Sequence, residues 1–179
     1  MRHTKQKLFE FRFIGYCPNF DDLKKSILSL SKNDWTEFTY QQDNIVGHKH
    51  TLTIPLLFDH KQAHREIQHD KYSTFAKHLE QISNHLSSIG ECSKIKRANI
   101  VLLKAKSSIA KHIDKGEFLQ STRKVHIPIT TNDGCYFIVD GKQQHFKESE
   151  LWEINNTGKY HSVQNEGDSD RIHLVIDIG

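Results

Sequence analysis

The stretch RIHLVIDI, residues 171–178, has two faces of opposite character. Side chains of an extended strand point alternately to either side, so Ile172, Leu174, Ile176 and Ile178 share one face while Arg171, His173, Val175 and Asp177 share the other. KVHIPIT (124–130) divides in the same way, with Val125, Ile127 and Ile129 opposed to Lys124, His126, Pro128 and Thr130. If AKHIDKG (110–116) is a third such strand, Ile109, Lys111 and Ile113 oppose Ala110, His112 and Asp114. The aliphatic stripes then pack against helices or the flank of a second sheet, and the histidines, basic residues and Asp114 face a common space. That pattern describes a polar cavity inside a barrel.

The second half of the chain continues this texture. IKRANIVLLKA (95–105), STRKVHIPITTN (121–132), CYFIVDG (135–141), SELWEIN (149–155) and HSVQ (161–164) are short strand-like runs. The turn signals Asn132-Asp133-Gly134, Asp140-Gly141 and Asn165-Glu166-Gly167-Asp168 separate them. Many short strands at near-regular spacing predict a sandwich or barrel, and a jelly roll fits best. Trp152 and Tyr136 are expected in its core.

The first half mixes element types. LFEFRFIGY (8–16) and HTLTIPLLF (50–58) read as strands, and DDLKKSILSLSK (21–32) as a helix carrying Leu23, Ile27, Leu28 and Leu30. DKYSTFAKHLEQISNHLSSI (70–89) places Tyr72, Phe75, Leu79, Ile82 and Leu86 three or four residues apart, a long amphipathic helix that Gly90 ends. The expected class is therefore mainly β with flanking α-helices on one outer face. Residues 1–179 are expected to form a single domain, with helical, strand and substrate-side elements in 1–90 and the core jelly roll in 91–179.

With 179 residues, 36% hydrophobic and 26% charged, the chain suits one globular core and holds no repeat or low-complexity tract. A formal charge of +3 spread over scattered lysines does not make the basic, aromatic-rich stripe of a nucleic-acid-binding protein. Lys104, Lys106 and Lys111 read as solubilising charge. No run approaches the roughly 18 apolar residues that cross a bilayer, and the opening MRHTKQKLFEFRF lacks the apolar centre of a secretory signal. Neither a membrane nor a nucleic-acid partner is indicated, and a cytoplasmic location is expected. Cys17, Cys92 and Cys135 are odd in number and lack a C-x-x-C pairing, which argues for reduced, buried thiols. The compositional oddity is the count of 13 histidines, the side chains most often used to bind metals and move protons.

Two positions apart on a strand, His112 and Asp114 share a face and reach one ion; a third ligand must come from a distant strand. Two imidazoles and a carboxylate on one side of an octahedron leave three positions open, the arrangement of non-haem Fe(II) enzymes that activate oxygen. His161, in NNTGKYHSVQN at the start of a short strand, is the best third ligand. Arg171 follows it. A guanidinium facing a barrel cavity is costly to bury unless it meets an anion, and its fork matches a carboxylate.

Taken in order, H-x-D (112–114), KVHIPITTN (124–132) and ELWEINNTGKYHSVQNEGDSDRIHLVIDI (150–178) resemble the aspartyl/asparaginyl beta-hydroxylase family of Fe(II)- and 2-oxoglutarate-dependent oxygenases. GHKHTLTIPL (47–56) is a weaker upstream match. The resemblance implies a double-stranded beta-helix, a cupin-like jelly roll whose iron is held by His112, Asp114 and His161. It further implies that Arg171 binds the distal carboxylate of 2-oxoglutarate and that His126 contacts the cosubstrate. Lys124, which stands where the family usually has arginine, is a further candidate contact to the cosubstrate, with Arg123 beside it on the opposite face. KAKSSIAKH, before the H-x-D, replaces a segment usually rich in proline and glycine.

The implied activity is hydroxylation of a carbon of an amino acid, an amino-acid derivative or a peptide residue, using O2 and converting 2-oxoglutarate to succinate. His48 and His50, at strand spacing before LTIPLL, are candidate substrate contacts. His60 and His64, with His69 or Asp70 nearby, have helical spacing for zinc, but Asp59, Lys61, Arg65 and Glu66 around them favour a solvated segment. Other readings keep the barrel: a cupin-like metal enzyme that does not use 2-oxoglutarate, or a non-enzymatic jelly-roll module binding a metal or small ligand.

Overall fold

Ten strands and four helices make up the ordered elements of the computed structural model, which describes residues 8–40, 49–59, 65–91 and 94–179. In chain order they are β1 (Phe11–Tyr16), α1 (Phe20–Leu28), α2 (Lys32–Thr36), β2 (Thr51–Leu57), α3 (Tyr72–Ser88), β3 (Ile95–Leu103), β4 (Ser107–His112), α4 (Glu117–Ser121), β5 (Arg123–Thr130), β6 (Cys135–Val139), β7 (Lys142–Gln144), β8 (Glu150–Ile154), β9 (His161–Asn165) and β10 (Arg171–Ile178). A six-stranded sheet runs β1-β8-β5-β10-β3-β2 and a four-stranded sheet β4-β9-β6-β7, with every pairing antiparallel. This mainly β, jelly-roll arrangement is the fold class read from the alternating strands.

The alternation of β10 is realised at the centre of the larger sheet. Its aliphatic face, with those of β5 and β3, packs under the helices: Ile172, Leu174, Ile176, Val125, Ile127, Ile129, Ala98 and Ile100 share a core with Leu23 and Ile27 of α1 and Phe75, Leu79, Ile82 and Leu86 of α3. The helical spacing of these α3 residues is what turns all four inward, and each fully buried side chain contributes about 1.5–3 kcal/mol. Gly90 ends α3 with φ 78°, a conformation open to glycine, and Glu91 N–H donates to the Leu86 carbonyl at 2.9 Å. A second, smaller core lies between the sheets, from Leu103 and Ile154 on one side and Ile109, Phe137, Val139 and Val163 on the other, with Phe146 joining them.

Several local expectations shift. The helix expected over 21–32 ends at Leu28, and Ser31 starts α2: its hydroxyl accepts from Asp34 N–H while the Asp34 carboxylate accepts from Ser31 N–H at 2.7 Å. This reciprocal cap outcompetes continuation of α1. Trp152 lies against the smaller core, stacked on Phe146 at 5.0 Å. Tyr136 does not enter the core; it is half-buried and donates to Glu166 at 2.6 Å. Cys17 and Cys135 are buried free thiols, and Cys92 lies outside the described residues. Among the described residues no helix is long and apolar enough to cross a membrane.

One buried ion network ties the helical side to the sheet. Arg12 on β1 and Arg123 on β5 both donate to Glu153 on β8, each at 2.8 Å, and both also engage Glu91 after α3. The Glu153 side chain is 1% exposed, so its removal takes a buried acceptor from two guanidiniums. Because Glu91 still serves both, Glu153→Ala is expected to cost about 3 kcal/mol, near the lower end for breaking a buried pair. A urea-unfolding midpoint unchanged by the substitution would contradict this.

Candidate active site

Three side chains from two adjacent strands and one loop converge between the sheets. His112 ends β4, His161 begins β9, and the two are partners in register. Their rings lie 4.2 Å apart between centroids. His112 Nε2 is 3.4 Å from Asp114 Oδ1, and His161 Nε2 is 3.9 Å from the same oxygen. One potential ligand atom from each of the three lies within 4.8 Å of the other two.

The way these residues come together differs from the plain alternation expected. Ile109 pairs with Val163 and His112 with His161, so three residue steps on β4 oppose two on β9. The extra residue makes a bulge, with Ala110 and Lys111 both exposed. Ile109 and His112 consequently both face the interior, whereas strict alternation opposes them. Asp114 lies beyond the end of β4, not on the strand face beside His112. It is held by Asn156: Asp114 N–H donates to the Asn156 carbonyl at 2.9 Å, and the Asn156 amide donates to Asp114 Oδ2 at 2.8 Å.

The imidazoles are oriented from behind. His112 Nδ1 donates to the Ala110 carbonyl at 2.8 Å, which turns Nε2 towards Asp114. His161 Nδ1 faces the Lys159 carbonyl at 3.5 Å and presents Nε2 in the same direction. Burial alone would raise the Asp114 carboxyl, but the Lys124 ammonium in contact with it, together with His112 and His161, holds it well below the usual carboxylate range. Asp114 raises His112, whereas burial pushes His161 down to about 4. One carboxylate and two imidazole nitrogens turned towards it form a donor set suited to a divalent metal ion.

Arg171 lies in the same interior, 2% exposed, and makes no hydrogen bond; its Nε and Nη1 are fully buried without a partner. Its guanidinium rests on the Phe137 ring, 5.3 Å from the centroid. Burial lowers it to about 10, a sign of how poorly the surroundings compensate its charge. The turns beside it are tightly tied. Asn165 donates to the carbonyls of Lys104 and Ser169 at 3.1 and 3.0 Å, and Asn132 donates to Asn165 Oδ1 at 3.1 Å. A Cβ on Gly167 would meet Asn132 Oδ1 at 1.9 Å, so this packing requires glycine there. His126 and His173 are also buried on the interior side, with both His126 ring nitrogens and His173 Nδ1 lacking partners. Burial and the nearby Arg171 charge push both well below the ordinary histidine value.

The other sequence-predicted residues separate clearly. Lys124 faces inward onto Asp114, while Arg123 faces outward into the Glu91–Glu153 network. His50 is exposed just before Thr51, whose strand partner Leu103 is also opposite Arg171, so it stands at the Arg171 end of the ladder. His48, His60 and His64 lie outside the described residues. His69 bonds the Phe58 carbonyl at 3.0 Å. Sequence reading passed over Asn156 and Arg97, and placed His173 on the interior face without giving it a role. Asn156 lies in an Asn-Asn pair that resembles ordinary turn composition, but Arg97 and His173 were marked by strand alternation.

The buried neutral imidazoles set a pH dependence. His161, His126 and His173 are all depressed relative to the ordinary 6.5. The unfolded chain therefore binds more protons than the folded one below about 6.5, and the stability these residues contribute is lost as pH falls towards 4. His112, raised by Asp114, opposes them singly. The melting temperature of the metal-free protein is expected to fall steadily over this acid range. A level profile would contradict burial of the neutral rings.

Comparison with known proteins supports the same reading of the fold. The structure is similar to an oxidoreductase of the 2OG-Fe(II) oxygenase family from Burkholderia pseudomallei, with 16% identity and a TM-score of 0.54, over 71% of this chain and 65% of that one. It is also similar to a prolyl-4-hydroxylase from Pseudomonas putida, with 10% identity and a TM-score of 0.56, over 96% of this chain and 92% of that one. The chain thus spans less than two thirds of the Burkholderia protein. No curated protein matches the sequence. The family model for aspartyl/asparaginyl beta-hydroxylases matches residues 18–179, a span that includes the His112–Asp114–His161 cluster and Arg171, and the chain belongs to that family.

Proposed function

We propose that this protein is an Fe(II)- and 2-oxoglutarate-dependent oxygenase that hydroxylates a carbon of an amino acid, an amino-acid derivative or a peptide residue. The observation that carries the reading is the pairing of two features in one barrel interior: a His-Asp-His donor cluster and a buried arginine with no protein partner. A metal-binding cupin with no dicarboxylate ligand leaves Arg171 buried without an anion, a costly arrangement. A single oxygenase domain is supported by β1 and β2, which come from the first half of the chain yet form the edges of the sheet that contains β10.

In this reading His112, Asp114 and His161 hold iron. Arg171 offers its fork to the distal carboxylate of 2-oxoglutarate, and His126 and His173 line the space between. Lys124 keeps Asp114 ionised and fixes its position; Asn156 does so from the other side. The neutral His126 ring supplies a polar contact to the cosubstrate without adding another positive charge beside Arg171. Phe137 and Phe146, stacked at 4.5 Å, exclude water from the guanidinium. Bound iron, with 2-oxoglutarate and O2, supplies the oxidation: one oxygen atom goes to the substrate carbon and the other to succinate as CO2 leaves.

The test is succinate release by purified protein supplied with ferrous ion, ascorbate and 2-oxoglutarate, with and without a panel of amino acids and peptides. Release that depends on both iron and 2-oxoglutarate is expected. Metal binding with no conversion of 2-oxoglutarate under any of these conditions would contradict the reading.

A further inference from the structure

We infer that Arg97 anchors a carboxylate of the primary substrate, which makes that substrate a small molecule with a free carboxylate, such as a free or N-acylated amino acid, and not an internal residue of a peptide. This rests on the oxygenase reading and narrows it.

Arg97 is on the interior face of β3. It pairs in register with Asp177 of β10, which pairs with Lys124 of β5. Arg97, Asp177 and Lys124 therefore form one row across three strands, and Lys124 extends that row to Asp114. Arg171 occupies the opposite end of the same ladder, across from Leu103. The interior thus carries a guanidinium at each end, with the metal ligands beside the Arg97 end.

Arg97, like Arg171, has a buried Nε without a hydrogen-bond partner, though acids surround it where Arg171 has none. Its side chain is 12% exposed, it makes no hydrogen bond, and its buried Nε has no partner. Asp177 is 3.6 Å from Nε, beyond hydrogen-bond contact, and also faces Lys124. Asp59 is nearby but makes a two-pronged pair with Arg65 at 3.0 and 3.3 Å. The Phe118 ring lies 4.3 Å and the Phe58 ring 5.1 Å from the guanidinium carbon. Covered by aromatic rings, a guanidinium bonds through its edge, in the plane where a carboxylate fits with two contacts. Burial lowers Arg97 despite three surrounding acids.

Charge balance leads to the same group. With Asp59 set against Arg65, the cations Arg97, Lys124 and Arg171 face Asp114 and Asp177 among the described interior residues, one positive charge in excess. A ferrous ion and the 2-oxoglutarate dianion cancel each other. The remaining positive charge is matched by one carboxylate on the substrate, and Arg97 is the cation at the metal end whose nearest acid stands outside hydrogen-bond distance.

The experiment compares free amino acids, their N-acetyl derivatives and their carboxamides as stimulants of succinate release by the iron-loaded protein, and repeats it with Arg97→Lys, which keeps the charge beside Asp177 but loses the fork. For the best acid, binding to the enzyme with iron and 2-oxoglutarate is also measured by calorimetry without oxygen. Acids are expected to stimulate and their carboxamides to fail. Arg97→Lys is expected to raise the KM and the anaerobic Kd of the acid by at least about thirtyfold, while the KM for 2-oxoglutarate stays within about twofold. Stimulation by a carboxamide or an internal peptide residue equal to that by the acid, no stimulation by any free acid, or an unchanged Kd in the variant would each overturn the assignment and leave the oxygenase reading standing. Absence of any 2-oxoglutarate conversion would overturn both. The acid–carboxamide comparison uses the unaltered protein and stands even if the variant does not fold.

Discussion

Replacing Asp114 with alanine is expected to abolish ferrous-ion binding at micromolar metal and to lower turnover by at least about a thousandfold, since a ligand and the anionic charge of the donor set are removed together. The loss extends beyond one bond to the ion. Lys124, in contact with Asp114, and the Asn156 amide at 2.8 Å both lose their acceptor. A buried ammonium left beside two imidazoles then repels the cation that those imidazoles would bind. Asp114→Asn, which keeps the size and an acceptor for Asn156, is expected to fail almost as completely because it lacks the charge. The check is metal content after dialysis together with succinate release. Full iron occupancy in the alanine variant would show that the cluster is not the metal site.

Arg171→Met is expected to raise the KM for 2-oxoglutarate by about a hundredfold or more, with iron still bound, and to stabilise the protein in the absence of cosubstrate. Loss of a buried, two-pronged charge-assisted contact has a cost of about 2–5 kcal/mol in binding. The second effect has the opposite sign because the same guanidinium, 2% exposed and without hydrogen bonds, is a liability until an anion meets it. Methionine fills comparable volume against Phe137 and removes the uncompensated charge. A higher melting temperature without 2-oxoglutarate, and loss of the further increase that 2-oxoglutarate gives the parent protein, are the expected pair of results. A variant that binds 2-oxoglutarate as the parent does would exclude Arg171 as its anchor.

The strands that were legible in the sequence are those with regular pairing on both sides. RIHLVIDI is the observed β10 residue for residue, because a central strand between a helical layer and a polar interior must alternate. KVHIPIT behaves likewise, and its polar side does face the interior with Lys124 and His126. AKHIDKG was less transparent. Its bulge depends on how β4 meets β9, a relation between distant segments, so the order of residues gave no sign that Ile109 and His112 share a side. Asp114 depends similarly on Asn156, its direct hydrogen-bond partner but 42 residues away in sequence. Arg97 was masked by its neighbours: in KIKRANIVLL three basic residues precede the apolar run, and only the strict alternation of Ala98, Ile100 and Leu102 marks Arg97 as inward.

The gathering of His112, Asp114 and His161 around one ferrous ion, with Arg171 holding a dicarboxylate in the same interior, is tested most directly by anomalous diffraction at the iron absorption edge from crystals grown without oxygen with ferrous ion and 2-oxoglutarate. A single iron peak bonded to His112 Nε2, His161 Nε2 and an Asp114 oxygen, and a cosubstrate carboxylate on the Arg171 guanidinium, is the predicted result. Iron bound elsewhere, or a 2-oxoglutarate carboxylate that leaves Arg171 without an anion, would contradict it.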